Sequence, residues 1–161
     1  MTEPCNMLVK AISAKDLVSK SWYSKNDPFL KIWTNSTRTT PQRGRVHKSG
    51  GSQAWWEESF SLSSRDANSE FLYFECINDG NQKLIGRVRI LCAEVPVEGI
   101  ESWFKIYGDD GKLGGELQLK LSRHPLGKEE EKTKAGQGKS SAYWTATAAA
   151  TRMTAGSRLA P

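Results

Sequence analysis

Apolar and polar residues alternate with a period of two through most of the first 122 positions, and no helical stripe interrupts them before residue 123. Residues 7–14 read as a first strand, with Leu8, Lys10 and Ile12 on one face and Val9 and Ala11 on the other. Residues 29–34 form a second, Leu30 and Ile32 pointing opposite to Lys31 and Trp33, and residues 43–48 a third. In residues 56–62, Trp56, Glu58, Phe60 and Leu62 share a face; in residues 70–77, Leu72, Phe74 and Cys76 point inward. Residues 84–91 turn Val88 and Ile90 inward after Gly86, which permits a bulge or a close approach. Residues 102–107 and 115–122 close the set, the last with Leu117, Leu119 and Leu121 in register. Eight short strands separated by Gly, Ser, Asn and Asp turns predict an all-β fold, an eight-stranded antiparallel β-sandwich.

The pattern stops near Arg123. The sandwich domain is assigned to residues 5–123, and residues 124–161 to a low-complexity tail. A charge run, Lys128-Glu129-Glu130-Glu131-Lys132, precedes Gly, Ser, Thr and Ala with few large apolar residues. Such a segment buries too little to offset its ordering entropy, so the tail is expected to be disordered. Tyr143, Trp144 and Met153 are its candidate for a short helix docking on a protein partner.

At 161 residues the chain is long enough to bury a core, and 37% hydrophobic with 25% charged residues fits a soluble globular protein. No run is apolar for the length of a membrane span, and the N-terminal residues lack the order of a secretory signal. Position 2 is not the glycine of a myristoylation signal, and Ala160-Pro161 is not a prenylation box. Cys5, Cys76 and Cys92 are odd in number and widely spaced, and Cys76 sits in an apolar alternation, so reduced thiols and a cytoplasmic setting are expected. In that setting Asn35-Ser36-Thr37 is an unmodified turn.

Charge sharpens the picture. Residues 1–123 carry 17 basic and 15 acidic side chains, and the tail 6 and 3. Residues 29–56 hold Lys31, Arg38, Arg43, Arg45 and Lys48 with no acid, and those five are expected to share a surface. Such a patch attracts anionic lipid at roughly 1 kcal/mol per basic residue; a merely solvated basic face is the alternative. Nucleic acid is the competing polyanion. Trp33, Trp55, Trp56 and Trp103 are expected to pack or cover the sandwich, not to stack on bases, so no nucleic-acid partner is assigned. Catalysis finds little support. His47 reads as a solvated member of the basic face, His124 opens the tail, and no nucleophile elbow or Gly-rich phosphate loop occurs.

The order of signals resembles the C2 domain family. Leu8-Val9-Lys10-Ala11-Ile12 followed by Ala14-Lys15-Asp16-Leu17 resembles its first strand and turn. Asn26-Asp27-Pro28-Phe29-Leu30-Lys31 is similar to its Ser-Asp-Pro-Tyr-Val-Lys motif, and Trp56-Glu57-Glu58-Ser59-Phe60 to its Trp-Asn-Glu-x-Phe segment. Leu72-Tyr73-Phe74-Glu75-Cys76 with Leu84-Ile85-Gly86 resembles the fifth strand and Ile-Gly turn, and Trp103-Phe104-Lys105-Ile106 with Gly115-Glu116-Leu117-Gln118-Leu119 the closing strands. The resemblance covers residues 5–122 and implies a Greek-key sandwich of type II topology.

It also implies calcium held between loop carboxylates and bridging to acidic phospholipid. Asp27 matches that pattern, but the first-loop aspartate falls on Ser21, the Asp-x-Asp pair on Asn78 and Gly80, and the later acid on Lys83. Asp79 is offset by one. Asp27 and Asp79 are therefore the only metal candidates, and two carboxylates would hold calcium weakly; Asp27 is expected instead to cap the turn before Pro28. At the same tip Lys20, Trp22, Tyr23 and Lys25 set two amphipathic aromatics between cations, a composition suited to a membrane interface, unless the rings fold back on the rim. The expectation is a non-catalytic, peripheral-membrane module that docks on anionic phospholipid or acidic partners largely without calcium and needs no cofactor. A calcium-dependent phospholipid binder and a protein scaffold are the alternatives.

Overall fold

The computed structural model describes residues 2–22 and 24–126. Eight strands appear: β1 (Cys5–Lys15), β2 (Pro28–Thr34), β3 (Gln42–Arg43), β4 (Ala54–Ser64), β5 (Phe71–Asn78), β6 (Lys83–Leu91), β7 (Ile100–Tyr107) and β8 (Leu113–Pro125). The chain divides into two units, Met1–His124 and Pro125–Pro161, and the second lies outside the described residues apart from Pro125 and Leu126. β8 extends past the expected boundary to take in His124 and Pro125, and residues 127–161, including Tyr143, Trp144 and Met153, are not described.

The strands follow the order β3-β2-β5-β6-β7-β8-β1-β4. Between β6 and β7 the register is the single pair Arg87↔Tyr107, so the array falls into two four-stranded halves that meet along that seam. Their inner faces form one core: Met7, Val9, Leu30, Ile32, Leu72, Phe74, Cys76, Leu117, Leu119 and Leu121 are all buried. The strict alternation of β2, β5 and β8 in the sequence is therefore the core itself.

Two positions depart from the expected pattern. In β1 Met7, Val9 and Ala11 turn inward and Leu8 is exposed, but Ile12, expected on the face of Leu8, is buried as well. The register with β4 shifts between Ala11 and Ser13, so that Ile12 faces both Trp56 and Glu57, the latter in the left-handed region at φ 51°. Beyond this bulge Ala14 pairs with Ala54 and Ser13 with Trp55. The pattern of residues 43–48 predicts a full strand, but the β3 ladder holds Gln42 and Arg43 alone. Beyond it two backbone bonds reach β2: Gly44 N–H donates to Leu30 O and His47 N–H to Pro28 O, both at 2.9 Å. The break follows from side chains, since Arg45 N–H donates to Glu58 Oε1 at 2.9 Å and not to a strand.

Gly86 does allow a close approach: a Cβ there would lie 2.8 Å from Ile106 Cγ1, with Ile106 fully buried. The β5–β6 register shifts beside the Cys76↔Gly86 pair. β4 ends the array, and three of its carbonyls are taken by side chains. Thr34 Oγ1 donates to Ser63 O at 2.6 Å, Gln42 Nε2 to Ser61 O at 2.8 Å, and Arg45 Nη2 to Trp56 O. All three cysteines are free and buried. Burial pushes the Cys76 thiol up to about 12 and Cys92 up to about 11.

Candidate functional site

Three connections meet at one end of the sandwich: residues 16–27, 44–53 and 79–82. Three asparagines tie them together. Asn26, 1% exposed, donates through Nδ2 to Val18 O at 2.8 Å and Gly51 O at 3.3 Å, and accepts Lys20 N–H at 3.0 Å. Asn78 accepts Asp27 N–H at 2.9 Å and donates to Asn81 Oδ1 at 3.0 Å. Asn81 in turn donates to Lys20 O at 2.8 Å. Asn26 and Asn78 are buried and Asn81 is exposed, and their bonds together brace the loops against one another.

The two candidate metal carboxylates are engaged elsewhere. Asp27 does not cap its own turn; its Oδ1 accepts Ser49 N–H, at 2.6 Å, in the neighbouring connection. Ser49 lies in the left-handed region at φ 54°. Asp79 accepts Arg43 Nη2 at 2.8 Å and Gln82 Nε2 at 3.3 Å. No cluster of three or more His, Cys, Asp or Glu side chains that could hold a metal occurs among the described residues. Calcium takes six to eight oxygens, with affinity set by how many carry charge. Two carboxylates already accepting hydrogen bonds, one of them ion-paired, do not fit that cage.

On the first connection Trp22 is 93% exposed, in a short turn where Ser21 Oγ and Ser24 Oγ lie 3.0 Å apart. Ser19 Oγ donates to Ser21 O at 2.8 Å and tightens the same turn. The indole stands out from the rim instead of folding back on it. Lys20 and Lys25 flank it in sequence, and Lys25 runs beside Gly51. Tyr23 lies outside the described residues.

The basic segment is only partly one surface. Lys31 pairs with Arg43 across β2–β3 and with Glu75 across β2–β5, and Glu75 pairs with Arg87. Opposed residues of adjacent strands share a face, so Arg43, Lys31, Glu75 and Arg87 form one row. The next row holds Trp33, Tyr73 and Arg89. Trp33 stacks on Tyr73 with centroids 5.4 Å apart and rings 8° from parallel; Arg89 lies 4.3 Å over Phe71, and Arg43 3.7 Å over Phe29. Arg38 sits in the exposed turn after β2, and Lys48 in the turn before β4. Arg45 turns to Glu58 and Trp56 at the β4 edge. Arg87 and Arg89 escape the sequence reading, although they alternate with Val88 and Ile90 and so had to point outward.

The other half carries a cleft of about 320 Å³ lined by Ser13, Lys15, His47, Trp55, Trp103 and Gln118, among others. Trp55 is 62% exposed, since β4 alternates and Ala54 and Trp56 on either side of it are buried; it pairs with Ser13 across β1–β4. Lys15 Nζ lies 4.2 Å over the Trp103 ring, and Ser13 Oγ donates to Gln118 Oε1 at 2.8 Å. His47 is not simply solvated, since its Nδ1 accepts Trp55 N–H at 2.7 Å.

The C2 domain family model matches residues 5–106. Synaptotagmin-4 of Arabidopsis thaliana is 32% identical over 132 residues, which cover 75% of this chain and 23% of that protein. The chain thus spans about a quarter of the length of that curated relative. A C2 domain of a plant extended synaptotagmin 1 superposes with a TM-score of 0.67 at 25% identity, over 76% of this chain and 95% of that one. A C2 domain-containing protein from a putative elicitor-responsive gene gives 0.61 at 22%, over 79% and 93%. No described helix is long and apolar enough to cross a membrane. With the eight strands, the ordered motifs and these matches in agreement, the chain belongs to the C2 domain family.

Proposed function

We propose that this C2 domain is a non-catalytic module that docks on anionic phospholipid without requiring calcium. The observation that carries the reading is the tip: loops braced by Asn26, Asn78 and Asn81 present Trp22 outward between Lys20 and Lys25. Trp favours the membrane interface, and flanking lysines add attraction to acidic headgroups. Lys31, Arg43, Arg87 and Arg89 beside the Trp33–Tyr73 pair form a second contact of matching chemistry. Preorganisation matters here, because loops that need no metal to hold their shape lose little freedom on docking. Arg45 belongs to the β4 edge and contributes less than Arg43.

The test is co-sedimentation with phosphatidylserine-containing vesicles, first in calcium and then in chelator. Equal binding in both is expected, with loss on Trp22→Ala and on Lys31→Glu/Arg43→Glu. Binding that disappears in chelator would reverse the metal assignment.

A second reading, a protein scaffold, is favoured by the Trp55–Trp103 cleft, which lies on the half opposite the basic rows. Binding to no vesicle under either condition, with a protein partner lost on Trp55→Ala, would establish it in place of the first.

A further inference from the structure

The turn between β2 and β3 is rich in hydroxyls, and most are committed. Thr34 Oγ1 bonds Ser63 O and approaches Thr37 Oγ1 at 3.1 Å; Thr37 Oγ1 also accepts Thr34 N–H at 2.8 Å. Ser36 Oγ donates to the Glu70 carboxylate at 2.8 and 2.6 Å. Thr39 and Thr40 are exposed, and neither hydroxyl bonds another described residue. Only Thr40 precedes a proline, and Pro41 biases it away from helical backbone, towards an extended form. Arg43 stands three residues beyond Thr40 and Arg38 two before it.

We infer that Thr40 is a phosphoryl-acceptor site for a proline-directed protein kinase that also reads a basic residue at the third position after the hydroxyl. Thr40 Oγ1 attacks the γ-phosphorus of a nucleoside triphosphate; the new O–P bond forms as the bond to the β-phosphate oxygen breaks. The hydroxyl proton passes to the kinase base and the nucleoside diphosphate leaves. The product carries about −1.5 to −2 at neutral pH. It stands near Arg38 and Arg43 in sequence, and offsets up to two of the five positive charges of residues 29–56. This consequence rests on the membrane reading above; the modification itself does not.

The fold adds a constraint. Arg43 is held by Asp79 at 2.8 Å and lies on the Phe29 ring, so a kinase that reads it must detach it. β3 is two residues long, so that local opening is cheap. Asp79→Asn frees Arg43 and is expected to speed phosphorylation, whereas Arg43→Ala slows it.

The experiment incubates the full chain with a cyclin-dependent kinase and Mg-ATP and maps phosphate by mass spectrometry. One phosphate on Thr40 is expected, abolished by Thr40→Ala and by Pro41→Ala but not by Thr39→Ala, and added faster in Asp79→Asn. Vesicle affinity of the phosphorylated chain is expected to fall on the order of tenfold at low salt. No phosphate on the folded chain, phosphate at another residue, or uptake indifferent to Pro41→Ala and Arg43→Ala overturns the assignment. Because the phosphate is read by mass, a failure of the site is distinct from a failure of vesicle binding, which is measured first on the unmodified chain.

Discussion

The side-chain oxygen of Asn78 accepts the backbone N–H of Asp27 at 2.9 Å, joining two loops 51 residues apart in sequence. At this tip an amide side chain links the two loops directly. An amide both donates and accepts, so it can link backbone groups that carry no net charge.

Asn78→Ala is expected to lower stability by about 1–2 kcal/mol, since the partly buried Asp27 N–H loses its side-chain acceptor and Asn81 Oδ1 loses one of its two donors. Chemical denaturation measures the change. A midpoint within error of the parent chain would show that the brace is dispensable.

Gly86→Ala is expected to cost about 1–3 kcal/mol, because the added methyl meets the buried Ile106 side chain. The sign of the coupling is the sharper check. Ile106→Ala should destabilise the parent chain more than it destabilises the Gly86→Ala chain, and additive effects would remove Ile106 as the obstacle.

Much of this was legible in sequence. The inward faces of β2, β5 and β8 are visible as plain alternation, and the Asn26-Asp27-Pro28 junction marks the tip. Three things were not. The β1–β4 bulge depends on Glu57 adopting φ 51°, which no side-chain pattern announces. The Arg43–Asp79 pair joins residues 36 apart, and Asp79 reads as a loop carboxylate until the two strands are paired. Asn78 looks in sequence like a lost carboxylate and nothing singles out Asn26 or Asn81 as a brace, whereas in space all three hydrogen-bond across the loops.

Asp66 should make stability depend on pH at the acid end. The Ser69 hydroxyl and the N–H groups of Glu3 and Asn68 hold its carboxyl below the ordinary value of 3.8. The folded chain therefore binds that proton less readily than the unfolded one. Its contribution is fully present above the ordinary value and is lost as pH falls through the folded one. Thermal melts of Asp66→Asn and the parent should differ at pH 7 and converge towards pH 2; a gap that persists at low pH would rule out ionisation as its source.

The cysteines offer a test of core integrity. With the Cys76 thiol near 12, its thiolate fraction at pH 8 is about one in ten thousand, and burial also bars reagents. Alkylation at pH 8 should leave Cys76 unmodified in the native chain and label it completely in denaturant. Rapid native labelling would mean that the sandwich opens.

The side chains laid on β4 bear on how the domain meets copies of itself. An eleven-residue terminal strand bearing Trp55, Trp56, Phe60 and Leu62 would ordinarily offer a row of acceptors to any passing extended chain. With the carbonyls of Trp56, Ser61 and Ser63 already filled by Arg45, Gln42 and Thr34, that row is interrupted at three points. Arg45 and Gln42 thus guard against intermolecular strand pairing, and such a guard counts most wherever many copies of the domain are crowded together.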